Sequence, residues 1–230
     1  MQFLKDFLYL FFPKICITCQ ENLLSNEYIL CTMCKYDLPL IDNNTHTNKK
    51  LASIFFGKTD INMVKSFLYY RKEGKVQQLI HHLKYKNRED IGSFLGNWFG
   101  HQLKEQKLFT NINYIVPVPL HPKKLKLRGY NQVTKFGISL SNILNIEYKP
   151  NILIRTSISK TQTLKQRFER FSNTNTKFKL TNIQFFENKH ILLIDDVITT
   201  GATLEACCNE LLKTKNITIS IATLAYTEKT

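Results

Sequence analysis

Long apolar runs are what this sequence most plainly lacks. The best candidate, Met1 to Phe12 (M-Q-F-L-K-D-F-L-Y-L-F-F), is too short for a bilayer span of about 20 residues, and Lys5-Asp6 interrupts it. No small-residue cleavage site follows it, so an export signal is not expected. The stretch reads as an amphipathic helix packed on the protein. With no other segment able to insert into a membrane, the chain is expected in the cytoplasm. Internal repeats and low-complexity tracts are missing as well, which leaves an ordinary globular composition. Acidic residues are scarce in one region. Lys107 to Lys179 holds fourteen Lys and Arg against Glu147 and Glu169, a surplus of twelve, whereas residues 1–50 carry five of each sign. Missing counter-charge on that scale, within a net charge of +14, predicts a polyanionic ligand, either phosphates or nucleic acid. The plain alternative is a chain rich in Lys, Asn and Ile throughout.

At 230 residues the chain can hold one sizeable domain and a small module. Four of its six cysteines fall as Cys16-x-x-Cys19 and Cys31-x-x-Cys34. In a reducing compartment two such pairs read as a tetrahedral Zn2+ site, each pair gripping the ion from one turn. Disulfides are the competing reading, disfavoured without an export signal. So small a module has almost no core of its own, and zinc is expected to supply most of its stability, on the order of 10 kcal/mol. Cys207 and Cys208 read as small buried residues.

The centre of the chain's chemistry is Ile191-Leu192-Leu193-Ile194-Asp195-Asp196-Val197-Ile198-Thr199-Thr200-Gly201-Ala202-Thr203. Four apolar residues predict a strand buried on both faces. Two acids are placed where that strand is expected to end. A hydroxyl-rich loop with one glycine follows, and Leu204 to Lys213 reads as a helix. Free N–H groups and a helix dipole make such a junction an anion site, where Gly201 permits close backbone approach. Asp195 and Asp196 cannot hold the same anion. They suit ribose hydroxyls beside it, or Mg2+ held through water. A 5-phosphorylated ribose carrying a diphosphate would use every part of the site. The stretch closely resembles the phosphoribosyl pyrophosphate (PRPP) signature of type I phosphoribosyltransferases. A Walker B strand is the competing reading, with Ala52 to Thr59 (A-S-I-F-F-G-K-T) as a relaxed phosphate loop. However, the polar run before it offers no buried strand, and Ile54, Phe55 and Phe56 suit a backbone cradle badly.

Asp42 to Lys50 (D-N-N-T-H-T-N-K-K) is expected as a linker, dividing residues 1–50 from 51–230. Lys75 to Tyr85 spaces Val76, Leu79, Ile80 and Leu83 as one helix face, and a second helix is expected over Ile91 to Gln102. After a possible strand at Ser66 to Tyr70, strand and helix alternate: Tyr114 to Val118, Gln132 to Leu144, Ile152 to Ile154, His190 to Ile194, Leu204 to Lys213, Ile217 to Leu224. Alternation predicts an α/β fold with a parallel sheet and ligands at the carboxyl ends of its strands. Three loops should gather there. They are Pro117 to Asn131, carrying Lys123, Lys124, Lys126 and Arg128; the long polar Ser157 to Lys179; and Asp195 to Thr203.

The order of features resembles the ComF family (ComFC/GntX-type). Four cysteines come first, then L-I-x-x-L-K-Y (Leu79 to Tyr85), P-V-P-L-H (Pro117 to His121) and R-G-Y-N-Q (Arg128 to Gln132). Gln162 with Arg170 and Asn173 follows, and then the PRPP motif. The resemblance spans nearly the whole chain. It implies a phosphoribosyltransferase-like core behind a small N-terminal zinc module, a role in DNA uptake during natural transformation, and a helicase-like ATPase partner. Asp195 and Asp196 would be the catalytic acids on the ribose. Val197, Ile198, Thr199, Thr200, Gly201, Ala202 and Thr203 would bind PRPP, with Thr199 to Thr203 cradling the 5-phosphate. Lys123, Lys124 and Arg128 would face the diphosphate. With Lys126 these basic residues also suit single-stranded DNA, and Tyr130 is either a stacking platform or a core residue. The sequence stops at Thr230, just after its last expected strand, with no hood to grip an acceptor base. Two readings therefore stand: a PRPP-dependent transferase acting in DNA uptake, and a non-catalytic DNA-binding or adaptor module on an ancestral sugar-phosphate fold.

Overall fold

The computed structural model describes residues 11–42, 44–156 and 177–228. In chain order the first elements are α1 (Thr32–Tyr36), α2 (Thr45–Ser53), β1 (Met63–Tyr70), α3 (Lys75–Tyr85) and α4 (Asp90–Glu105). Then come β2 (Tyr114–Pro117), α5 (Pro122–Arg128), α6 (Thr134–Leu144), β3 (Glu147–Tyr148) and β4 (Leu153–Thr156). After the undescribed 157–176 follow β5 (Lys177–Leu180), β6 (His190–Ile198), α7 (Ala202–Leu211) and β7 (Thr218–Thr227). No described helix is long and apolar enough to cross a membrane.

Five strands form one parallel sheet in the order β1-β7-β6-β2-β3, as alternation predicts. Its centre is apolar on both faces. Leu192 and Ile194 enter one core cluster while Ile191 and Leu193 enter the other. Over the first face lie α3, α4 and α6. The Val76, Leu79, Ile80 and Leu83 stripe is buried as its spacing requires. Helices α4 and α6 pack so closely that a Cβ at Gly96 would fall 2.8 Å from Ser139 Cβ. Leu51 of α2 and Leu204, Cys207, Cys208 and Leu211 of α7 fill the second cluster.

Several elements differ from the sequence reading. Ile152 to Ile154 does not join the parallel sheet. Leu153–Thr156 pairs antiparallel with β5, and the short β3 takes the sheet edge instead. The strand carrying the acid pair does not stop there but runs on to Ile198, because β7 continues to pair with it through Ile198↔Tyr226. The Pro117 to Asn131 loop contains helix α5. His121 caps it by accepting the Lys123 N–H at 3.2 Å, Pro122 sits where no N–H is needed, and Gly129 ends it at φ 78. Within the expected linker, α2 starts at Thr45, with Asn44 accepting the Thr47 N–H. The cysteine module also has more core than its size suggests. Ile17, Leu23, Ile29, Leu30 and Leu38 join the same cluster as Phe67 and Leu68 of β1. Residues 1–10 of the expected Met1 to Phe12 helix, most of the Ser157 to Lys179 loop, and Gln162, Arg170 and Asn173 lie outside the described residues.

Candidate functional site

Neighbouring side chains on a strand point to opposite faces, so Asp195 and Asp196 diverge. Asp196, 6% exposed, turns toward α3 and α6. Its Oδ2 lies 2.8 Å from Lys84 Nζ and accepts the Gln132 Nε2–H at 2.7 Å. Gln132 in turn accepts from Arg128 Nη1 at 2.9 Å, and the Arg128 guanidinium sits 5.0 Å over the Tyr85 ring. Tyr130 donates its hydroxyl to the Leu83 carbonyl, and Asn131 Nδ2 donates to the Val118 carbonyl at 3.0 Å. Two separated motifs, L-I-x-x-L-K-Y and R-G-Y-N-Q, thus meet at Asp196, and Asn131 ties the P-V-P-L-H turn to the second of them. Sequence reasoning assigned no role to Lys84 or Gln132. Their places inside two family-like motifs were the signal that pointed to them.

Asp195 instead lines a small recess of about 50 Å³ together with Val197, Ile198, Thr199, Thr200, Gly201, Ala202, Thr203 and Leu204. Burial, with the neighbouring Asp196 charge, pushes its carboxyl up to about 8, against the pull of Lys84 and Arg155. Its Oδ1 accepts the Asp196 N–H at 2.8 Å. Thr199, Thr200, Ala202 and Thr203 are exposed around the recess. Gly201 turns the chain at φ 79 into α7, whose first residues Ala202, Thr203 and Leu204 border the recess. A Cβ on Gly201 would meet Ile54 Cγ2 at 2.7 Å and Phe55 Cε1 at 3.2 Å. The Ala52 to Thr59 stretch therefore packs on the phosphate-type loop. It begins inside the last turn of α2 and not after a strand, unlike a nucleotide-binding loop.

Lys123, Lys124 and Lys126 are exposed on α5, no residue of which is buried. Arg128 differs, being held by Tyr85 and Gln132. Tyr130 is half-buried with its hydroxyl engaged.

In the N-terminal module Cys16, Cys19, Cys31 and Cys34 place their sulfurs within 4.8 Å of one another, and all four are free thiols. Cys19 and Cys31 sulfurs are 3.7 Å apart, which matches the roughly 3.8 Å that a tetrahedral centre with 2.3 Å Zn–S bonds imposes. Burial opposes ionisation of Cys16, yet backbone N–H groups at Cys19 and Cys31 and the Thr18 hydroxyl bring it down to about 6. A closed set of four clustered sulfurs fits a structural Zn2+.

Residues 134–230 match the phosphoribosyl transferase domain family. The chain is 28% identical over 152 residues to the DNA utilization protein YhgH of Escherichia coli, covering 65% of this chain. That match spans 66% of YhgH, a little under two thirds of its length. Competence protein F of Haemophilus influenzae is 28% identical over 205 residues, covering 84% of this chain and 89% of that protein. Among solved structures, a purine phosphoribosyltransferase from Pyrococcus horikoshii is 18% identical with a TM-score of 0.37, covering 73% of this chain and 83% of that one. Residues 134–230 are thus similar to phosphoribosyl transferase domains, in a chain that is similar over most of its length to competence protein F.

Proposed function

We propose that the protein binds PRPP with Mg2+ at the Asp195 to Thr203 recess and acts in DNA uptake or utilization in the cytoplasm. The observation that carries this reading is one carboxylate beside a hydroxyl-lined, glycine-opened helix start. Thr199 to Thr203 would receive the 5-phosphate. Asp195 would take the ribose hydroxyls, or a hydrated Mg2+, for which a carboxylate with threonine hydroxyls is a suitable hard-oxygen set. Mg2+ would supply charge neutralisation on the diphosphate. Asp196, tied to Lys84 and Gln132, would fix the strand end instead of touching the sugar. Any transfer would proceed by charge stabilisation of a departing diphosphate, with no covalent nucleophile.

Residues 1–50 would form the zinc module and 51–230 the phosphoribosyltransferase-like domain, with a helicase-like ATPase as partner on the strength of the family resemblance. A second reading, a non-catalytic module for single-stranded DNA, is favoured by α5, whose lysines are exposed on a helix with no buried residue. Calorimetric titration with PRPP and Mg2+ tests the first reading. Above about pH 8, where the Asp195 carboxyl ionises, Asp195→Asn should weaken binding tenfold or more, since hydrogen bonds to charged groups contribute about 1.5–3 kcal/mol each. Equal affinity in the folded variant would reject the site.

A further inference from the structure

Beside α5 lies a second concavity that the PRPP site does not use. Its volume is about 340 Å³, at the lower end of the range for small-ligand pockets. It opens at the carboxyl end of β2, between the P-V-P-L-H turn, the start of α6 and strand β4. Pro117, Pro119 and Pro150 form part of its wall, and proline offers no N–H to a phosphate. Leu125 and Ile154 add aliphatic surface, 42% and 39% exposed. No carboxylate lines it. Its polar lining residues are Asn131, Thr134, Tyr148, Asn151 and Arg155. Tyr148 turns a buried hydroxyl toward Thr134, also in the wall, yet makes no hydrogen bond of normal length. Arg155, with its guanidinium 5.5 Å over the Phe178 ring, contributes the cavity's positive charge.

Flat apolar walls with a hydroxyl at the back suit a planar heterocycle better than a diphosphate. The surroundings suggest how such a ring arrives. Leu125 belongs to the cavity while its neighbours Lys123, Lys124 and Lys126 are exposed on the same helix. A strand whose phosphates lie along those lysines has its bases within reach of the slot. We propose that this cavity accepts one nucleobase of a single-stranded nucleic acid, stacked against the proline and aliphatic wall, with its polar edge on the Tyr148 hydroxyl. The proposal rests on the DNA-handling reading above and adds to it a defined place where a base, and not only the backbone, is bound.

Anisotropy of the full-length protein at low salt, with labelled oligo-dT and an abasic strand of equal length, tests it. Oligo-dT should bind about tenfold more tightly than the abasic strand, the contribution of one stacked base. Ile154→Trp, at a tolerant position, should bring oligo-dT down to the abasic level while PRPP affinity and abasic binding hold. Tyr148→Phe should weaken oligo-dT at least twofold. Equal binding of the two strands, or undiminished oligo-dT binding by folded Ile154→Trp, overturns the slot and leaves the DNA reading standing. Binding of neither strand overturns both. Free thymidine bound by the wild type and lost in Ile154→Trp, with no preference for oligo-dT, assigns the cavity to a free base and overturns the strand as its source.

Discussion

Lys84 Nζ lies 2.8 Å from Asp196 Oδ2, and the Gln132 carboxamide donates to that same oxygen. This buried carboxylate ties α3, through Lys84, and the turn before α6, through Gln132, to the end of β6. Its neighbour Asp195 is left as the acid of the recess. We propose that the two halves of the D-D pair carry different tasks.

Stability should expose the first task. Lys84→Met leaves Asp196 buried without its cation and should cost about 3 kcal/mol in urea unfolding. Lys84→Met combined with Asp196→Leu should cost less than Lys84→Met alone, because no uncompensated charge remains buried. A double variant worse than the single would show that the pair contributes more than its desolvation cost.

The pH dependence should expose the second. The fold raises Asp195 to about 8, from roughly 3.9 in an unfolded chain. Its neutral form is the one the fold favours, so that contribution is complete below about pH 4. It is lost progressively as the pH rises toward 8, where the native carboxyl ionises as well. Urea unfolding of the ligand-free protein between pH 5 and 9 should show this decline, and Asp195→Asn should flatten it.

Gly201→Ala should destabilise the protein by about 1–3 kcal/mol and lower PRPP affinity. The turn stands at φ 79, and the new methyl would meet Ile54 Cγ2 at 2.7 Å. Ile54→Ala should recover the steric part of the loss but not the backbone strain. Full recovery in thermal unfolding would place the whole effect in the clash with Ile54.

Metal analysis of protein purified without chelator should find one zinc per chain, and Cys34→Ser should lower that occupancy sharply. Ile17, Leu23 and Ile29 share the core of the sheet. Removing the metal should therefore lower the melting temperature of the whole chain, by about 5 °C or more, since each kcal/mol moves a chain of this size by about 2–4 °C. Unchanged melting after complete metal removal would contradict this coupling.

Salt dependence should separate the basic residues of α5. Changing Lys123, Lys124 and Lys126 to Ala should reduce the log–log salt slope of single-strand binding by roughly 0.7 for each phosphate no longer neutralised. Arg128→Ala should act mainly on stability, because its guanidinium is engaged by Tyr85 and Gln132. Equal slope changes from Arg128 and the lysines would place Arg128 on the strand instead.

Much of this protein was legible along the chain. The parallel sheet follows from continuous apolar strands alternating with periodic helices, and α3 occupies the residues its spacing predicts. The C-x-x-C pairs and the V-I-T-T-G-A-T loop are local signals, since neighbouring residues alone form each turn. What the chain could not reveal is pairing at a distance. Whether Leu153–Thr156 enters the main sheet depends on which edge is already taken, and β3 takes it. Whether two adjacent acids act together depends on where the strand ends. Pairing with β7 carries β6 on to Ile198, and that sends Asp195 and Asp196 to opposite faces. Lys84 and Gln132 meet Asp196, and Arg128 meets Gln132, only when α3 and α6 pack on the first face. Sequence determines which segments are strands, helices and phosphate-type turns, because those are decided by local backbone and periodicity. Only the tertiary structure decides which charges meet, because that depends on burial and on the packing together of residues far apart in the chain.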